Sequence, residues 1–406
     1  MPEVEKKHLV IVAAYFPPVI SIASQRILAF AKYFDRDRFK VSLITLETGE
    51  PYNGPPLPET NIIRVKNNGL MKRINLGKGY PFLIHKAGAA YNKLLESLVR
   101  DDHSGWTSNA ARALKELHAK EKIDIVLSSF PPAAAHLAVM KSGLMGEEIR
   151  WIADMRDEMS MNQTFSRARK KYYAGLEKKI FSKAWMITTV ADLLVYHFQL
   201  LGKGSGVRFL KVMNGFDFDL PESYNYNAVF TVTHAGTFYG ARKPGKFLRA
   251  VSELLEEKRI ANIRINLIGA GNAIVVPSGL STFVKVTGRI GHDEALKYMM
   301  ESDANLIVKP ESEKGAIPGK LFEYLGTLKP VIALMDKSEQ AASIIQKAHS
   351  GIICNFDDIE DIKRGILEIH GLWSRKERLP VDREYIMTFC RRNHVKLLQQ
   401  EILKEN

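Results

Sequence analysis

Cysteine is nearly absent: Cys354 and Cys390 are the only two in 406 residues. Their separation fits no metal-ligand spacing and no disulfide framework, and a reducing cytoplasm suits them. Long apolar runs are missing too. The apolar, uncharged stretch Ile125–Met140 is interrupted by Pro131-Pro132 and His136 and is shorter than the roughly 20 residues that cross a bilayer. Met1–Lys7 is followed by six apolar residues before Tyr15, so no secretory leader is expected. No low-complexity tract appears either. What is present is a globular composition, 46% hydrophobic and 25% charged, on a chain longer than one core usually serves. Two domains are expected.

The formal net charge of +13 is unevenly placed. Residues 1–208 hold 31 Lys+Arg against 20 Asp+Glu, and the rest hold 27 against 25. A basic first half can meet nucleic acid, anionic lipid headgroups or phosphorylated substrates, or be a soluble domain of high isoelectric point. Arg167–Trp185 concentrates this charge among Tyr172, Tyr173, Phe181 and Trp185. It reads either as a basic helix lying on an anionic membrane or as a solvated outer helix with inward aromatics. No nucleic-acid motif accompanies the charge, so nucleic acid is not expected as a partner.

Apolar runs alternate with helical periodicity along the whole chain. Strands are expected at His8–Ala14, Lys40–Leu46, Asn61–Val65, Ile123–Leu127, Arg150–Ala153, Trp185–Val190 and Arg208–Val212. Between them come a helix capped by Ser24 and helices at Phe82–Arg100, Ser104–Lys120, Arg167–Phe181 and from Asp192. After Asn214-Gly215 and a polar linker the alternation restarts at Val229–His234. It continues through strands at Ile263–Ile268, Ala304–Val308, Val331–Leu334 and Gly351–Cys354. A final helix, Arg383–Leu403, has no strand after it. This spacing predicts two doubly wound, parallel α/β domains with ligands beyond the strands' carboxyl ends, in a cleft between the domains. The boundaries expected are 1–213, a linker 214–227, a second domain 228–380 and a last helix 381–406.

Glu313–Leu334 carries the clearest site signal. A glycine-bearing loop leads through Pro318 into a short helix on which Lys320 and Glu323, three apart, share a face. A lysine at a helix N-terminus suits a phosphate, and a carboxylate one turn on suits sugar hydroxyls. The alternative is an ordinary loop–helix–strand unit. In His234–Lys246, Gly236 and Gly240 allow close backbone approach, and Arg242 and Lys246 offer charge to a diphosphate. That segment can equally be a basic turn. Gly269-Ala270-Gly271 lacks the third glycine of a dinucleotide loop, since Ile274 stands there, so no nicotinamide cofactor is expected. Asp154, Arg156 and Asp157 follow a strand, where carboxylates can orient a hydroxyl and Arg156 can hold an anion. A salt-bridged loop is the alternative there. No third ligand stands beside them, so no metal is expected. His136 is a candidate on the acceptor side, or a packed histidine.

Together these segments resemble the glycosyltransferase family 4 group, retaining enzymes of the GT-B fold. The likeness rests on Tyr15-Phe16-Pro17-Pro18 with Gln25-Arg26, Trp151–Asp157, Asn214–Asp217, the HAGTFYGAR turn, Gly288-Arg289-Ile290 and Pro318–Tyr324. It implies two Rossmann-like domains facing a cleft, with the last helix crossing back to the first. It also implies a nucleotide-sugar donor as co-substrate, with Arg242 and Lys320 at the diphosphate beside Gly236 and Glu323 at the ribose. Gly288 and Arg289 would lie by the base and Asp157 near the reacting sugar. His136, Asp154 and Arg156 would stand on the side of a glycan or lipid-linked acceptor. The implied protein works in the cytoplasm, in cell-surface polysaccharide synthesis, at the inner face of the membrane. Two departures stand out: Ile20–Ser24 replaces a glycine-rich loop, and Gly315 replaces a glutamate eight residues before Glu323. A nucleotide-sugar epimerase of the same shape and a non-catalytic nucleotide-sugar-binding protein are the alternatives.

Overall fold

The computed structural model describes residues 5–19, 21–49, 52, 54, 56–68, 84, 86–88, 90–91, 103–146, 148–162, 165–238, 242–271, 274–310 and 317–404. They form two compact units: Met1–Met213 with Val395–Asn406, and Asn214–His394. Each unit is built on one parallel sheet.

The first sheet uses β1 (Lys7–Val12), β2 (Phe39–Leu46), β3 (Thr60–Val65), β4 (Ile125–Phe130), β5 (Arg150–Met155), β6 (Met186–Thr189) and β7 (Arg208–Lys211). Their order is β3-β2-β1-β4-β5-β6-β7. The apolar run of β1 has no polar side because both faces of an all-parallel sheet are covered. Its period of two divides it between two cores. Val10, Val12 and Ala14 join the cluster under helices Ser104–Lys120, Ala134–Ser142 and Arg167–Phe181. Leu9, Ile11 and Ala13 join the cluster made with helix Ile22–Tyr33 and with Val395, Leu398 and Ile402 of the last helix.

The second sheet uses β8 (Thr231–Ala235), β9 (Arg264–Ile268), β10 (Val284–Val286), β11 (Ala304–Val308), β12 (Val331–Leu334) and β13 (Gly351–Cys354). Their order is β10-β9-β8-β11-β12-β13. Helices Gly245–Glu256 and Ile359–Arg375 cover one face, placing Phe247, Val251, Leu254, Ile362, Ile366 and Ile369 over the strands. In each sheet the winding reverses once, between β1 and β4 and between β8 and β11. Crossover helices leave in opposite directions there, so the strand carboxyl ends stay open.

Three expectations about elements change. Ser24 does not cap the first helix; Ser21 does, in an extended conformation, with its Oγ accepting from the Ser24 N–H at 3.0 Å. The final helix is two, Arg383–Met387 and Arg391–Leu403. Phe216 causes the break: its N–H donates to the Phe389 carbonyl at 3.2 Å, and its carbonyl accepts from the Arg391 N–H at 2.9 Å. β10 was not expected from sequence. The expected helix Phe82–Arg100 lies mostly, and Ile20, Gly240 and Gly315 wholly, outside the described residues.

The two serines separate in a urea titration. Ser21→Ala is expected to cost about 1 kcal/mol, the usual worth of a serine cap. Ser24→Ala is expected to cost nothing or to stabilise slightly, because its buried Oγ has no partner among the described residues.

Candidate functional site

At the switch point of the second sheet, β8 ends at Ala235 and the chain turns through Gly236. Gly236 has φ +125°, and a Cβ there would stand 2.8 Å from Lys320 Nζ. The φ favours glycine, and any side chain there would push the Lys320 ammonium aside. Its N–H donates to the Ile268 carbonyl at 2.7 Å. Lys320 arrives from the next crossover, in the first turn of helix Gly319–Gly326 after Pro318. Tyr324 on that helix is fully buried, and its hydroxyl accepts from the Ala235 N–H at 2.9 Å. Helix and strand end are therefore tied together, and Nζ is held over the glycine.

The partner of Lys320 is His234, buried in β8 and stacked on Phe238 at 4.0 Å between ring centroids. Nδ1 of His234 lies 2.9 Å from the Leu306 carbonyl, which can only accept, so Nδ1 carries the proton. Nε2 is left as an acceptor, 3.1 Å from Lys320 Nζ. Burial first, and the Lys320 charge second, hold this imidazole well below its ordinary pKa, so it is neutral. Among the described residues no carboxylate stands within ion-pair distance of Lys320. Burial and then the Arg242 charge push its ammonium down to about 7, with Glu323 opposing. The result is a cation stabilised by a neutral acceptor and ready to gain from an anion.

One turn on, Glu323 faces a different set. Its Oε1 accepts from His292 Nε2 at 2.9 Å and lies 3.8 Å from Arg391 Nη2. Burial pushes this carboxyl up, but the His292 hydrogen bond and the charges of His292, Arg391 and Lys320 outweigh it, and the group stays ionised. The hydrogen bond to Glu323 raises the His292 imidazole in turn. The loops after β9 and β10 are joined by the Gly269 N–H donating to Thr287 Oγ1 at 3.0 Å. Gly288 and Arg289 follow, both exposed, and a Cβ on Gly288 would meet nothing within 4 Å. Lys320, Glu323, Gly236 and Arg242 are thus brought together, while Gly288 and Arg289 lie on an open loop. Sequence reasoning missed His234, His292 and Arg391. His234 opened a segment already singled out, but nothing marked the other two, 31 and 68 residues from Glu323.

The first unit's cluster is of another kind. Asp154, fully buried at the end of β5, accepts from Arg26 Nη2 and Nε at 2.7 and 3.0 Å, from Ser129 Oγ at 2.7 Å and from Thr188 Oγ1 at 2.7 Å. Burial pushes its carboxyl up, but Arg26 and Arg156 outweigh this and hold it below its ordinary range. Arg26 also donates to the Met213 carbonyl at 3.1 Å, and Arg156 to Ser129 Oγ at 3.0 Å and the Pro131 carbonyl at 3.1 Å. Every lone pair of Asp154 is used, so this acid is structural and does not face a ligand. His136 is corrected likewise. It is fully buried between Phe130 and Trp151, with Nδ1 2.7 Å from Ser128 Oγ, and burial pushes its imidazole down to about 4. Such a ring cannot reach an acceptor. Arg156 is buried, its guanidinium turned to Ser129 and Pro131. Asp157 alone of this group is exposed; partial desolvation raises its carboxyl, with Arg156 opposing. In helix Arg167–Phe181, Tyr173 and Phe181 are buried, so these two aromatics pack inward.

Affinity for inorganic pyrophosphate, read by titration calorimetry, should fall about tenfold from pH 6 to pH 8, as Lys320 loses its proton above its pKa of about 7. Lys320→Met should weaken binding at pH 6 and flatten that slope. Asp154→Ala should cost about 3–5 kcal/mol in urea unfolding, because it strands the buried Arg26 charge.

No protein-family model matches the chain, and no curated protein matches it. Solved structures do. Sucrose-phosphate synthase from Thermosynechococcus elongatus aligns with a TM-score of 0.67 at 13% identity, over 98% of each chain. Anabaena HepE, crystallised with UDP and glucose, aligns at 0.61 and 12% identity, over 99% of this chain and all of its own. A putative UDP-N-acetylglucosamine 2-epimerase from Listeria monocytogenes aligns at 0.55 and 10%, over 99% and 98%. At such identities the likeness concerns the fold. The chain has two Rossmann-like units with parallel sheets of seven and six strands, which is the GT-B fold.

Proposed function

We propose that the chain is a glycosyltransferase that takes a sugar from a nucleotide-sugar. The observation that carries this reading is the Lys320 ammonium held over Gly236 at a sheet's switch point, with the ionised Glu323 one helical turn away. In this reading a donor diphosphate lies along Gly236, Lys320 and Arg242. Glu323, kept ionised and oriented by His292 and Arg391, takes the ribose hydroxyls, and the base lies along Gly288 and Arg289. Asp157 and the acceptor, a growing glycan or lipid-linked sugar for a cell-surface polysaccharide, are assigned to the first unit.

Transfer is proposed to retain configuration. The bond from the anomeric carbon to the diphosphate oxygen breaks, and the acceptor oxygen bonds to that carbon from the same face. The acceptor's proton passes to the departing phosphate. Lys320 and Arg242 stabilise the charge that develops on the leaving group, so a metal is not required for that role. Fold likeness to an epimerase keeps a second reading open, in which a nucleotide-sugar is consumed without an acceptor.

A thermal-shift screen of nucleotides and nucleotide-sugars should yield a stabilising donor. Glu323→Ala should then weaken its binding by roughly 10- to 100-fold, the worth of charged hydrogen bonds to two hydroxyls. Unchanged affinity would remove Glu323 from the site. Product that appears only when acceptor is added separates transfer from epimerisation.

A further inference from the structure

Helix Asp192–Leu201 in the first unit reads DLLVYHFQLL, yet only Phe198 on it is buried. Leu193, Tyr196 and Leu200 are 51%, 61% and 56% exposed and stand at i, i+3 and i+7, so they form one uncovered apolar stripe. An apolar stripe of this kind signals a partner.

The surroundings indicate which. Between Phe165 and Lys211 the chain carries 10 Lys and Arg against 2 Asp and Glu. Of the two acids, Glu177 is buried and Asp192 is paired with Lys211 at 2.6 Å. Phe198 packs edge-on against Phe181 of helix Arg167–Phe181, with ring centroids 6.0 Å apart, so the apolar helix and the basic helix are neighbours. On the basic helix Arg167, Lys171 and Lys178 are exposed along one stripe. Lys179, Lys183 and Lys203 are exposed nearby in the chain.

We propose that the stripe Leu193–Tyr196–Leu200 and the adjoining basic helix form a surface that docks on a bilayer carrying anionic headgroups. Aliphatic side chains enter the acyl boundary while lysines meet the headgroups, the two components of interfacial binding. A second copy of the chain fits poorly, since it would set one basic patch against another. Nucleic acid would satisfy the lysines but leave the leucines uncovered. No helix among the described residues is long and apolar enough to cross a membrane, so the contact is peripheral. The inference deepens the proposed function, because a lipid-linked acceptor is met at a membrane. It also rests on different residues, so each can fail alone.

Vesicle co-sedimentation of the full chain tests it, using phosphatidylcholine with roughly 30% phosphatidylserine against phosphatidylcholine alone. The wild type should sediment with the anionic vesicles and lose binding in high salt. Leu193→Ser with Leu200→Ser, and separately Lys171→Glu with Lys178→Glu, should each reduce the bound fraction about tenfold. Unchanged far-UV circular dichroism and melting temperature show that these surface variants are folded. Absence of wild-type binding overturns the proposal, as does equal binding by the variants. So does sedimentation equilibrium showing a dimer that Leu200→Ser dissociates. Vesicle binding without any nucleotide-sugar binding would leave this surface standing and remove the donor site instead.

Discussion

Parallel strands cannot be joined by tight turns; each must be followed by a crossover that returns to the opposite end. Once such a sheet is wound in both directions from its centre, the two central crossovers part, and an opening is left at the strand carboxyl ends. The second unit reverses between β8 and β11, and there the backbone of Gly236, the His234 ring and the start of helix Gly319–Gly326 converge. The first unit reverses between β1 and β4, and the chain leaves both strands through proline pairs, Pro17-Pro18 and Pro131-Pro132. One topological constraint therefore accounts for where chemistry-bearing residues gather in either half.

The two gatherings solve opposite electrostatic problems. Around Asp154 a buried charge is fully neutralised and all its acceptor positions are filled, which fixes β4, β5, β6 and the first helix in register. Around Lys320 the hydrogen-bond partner is a neutral imidazole, and the pull of Glu323 is outweighed by burial and the Arg242 charge. A satisfied network rigidifies, whereas an under-compensated one stores affinity for a missing counter-charge.

Much of this was legible in the sequence. Alternating apolar runs announced both sheets, because strands covered on two faces leave no polar period to confuse. β10 was not legible: Val284–Val286 is a three-residue edge strand, two of whose residues are exposed. The break in the last helix was not legible either, since it depends on hydrogen bonds to Phe216, far away in the chain. That Lys320 and Glu323 share one helix face was legible in their spacing, but their partners were not. His234, His292 and Arg391 meet them only through tertiary packing. Asp154 and His136 mislead for the same reason in reverse: polarity at a strand end or beside one says nothing about whether folding will enclose it.

The return of the chain to its first unit also bears on the order of assembly. Val395, Leu398 and Ile402 belong to the core formed by β1 and the helix Ile22–Tyr33, so that core stays open while everything between is synthesised. The second unit, ending at His394, has all its own residues before the first does. During translation, then, the half made first is the half finished last. Its unclosed apolar face is the part of the nascent chain that has most need of a chaperone.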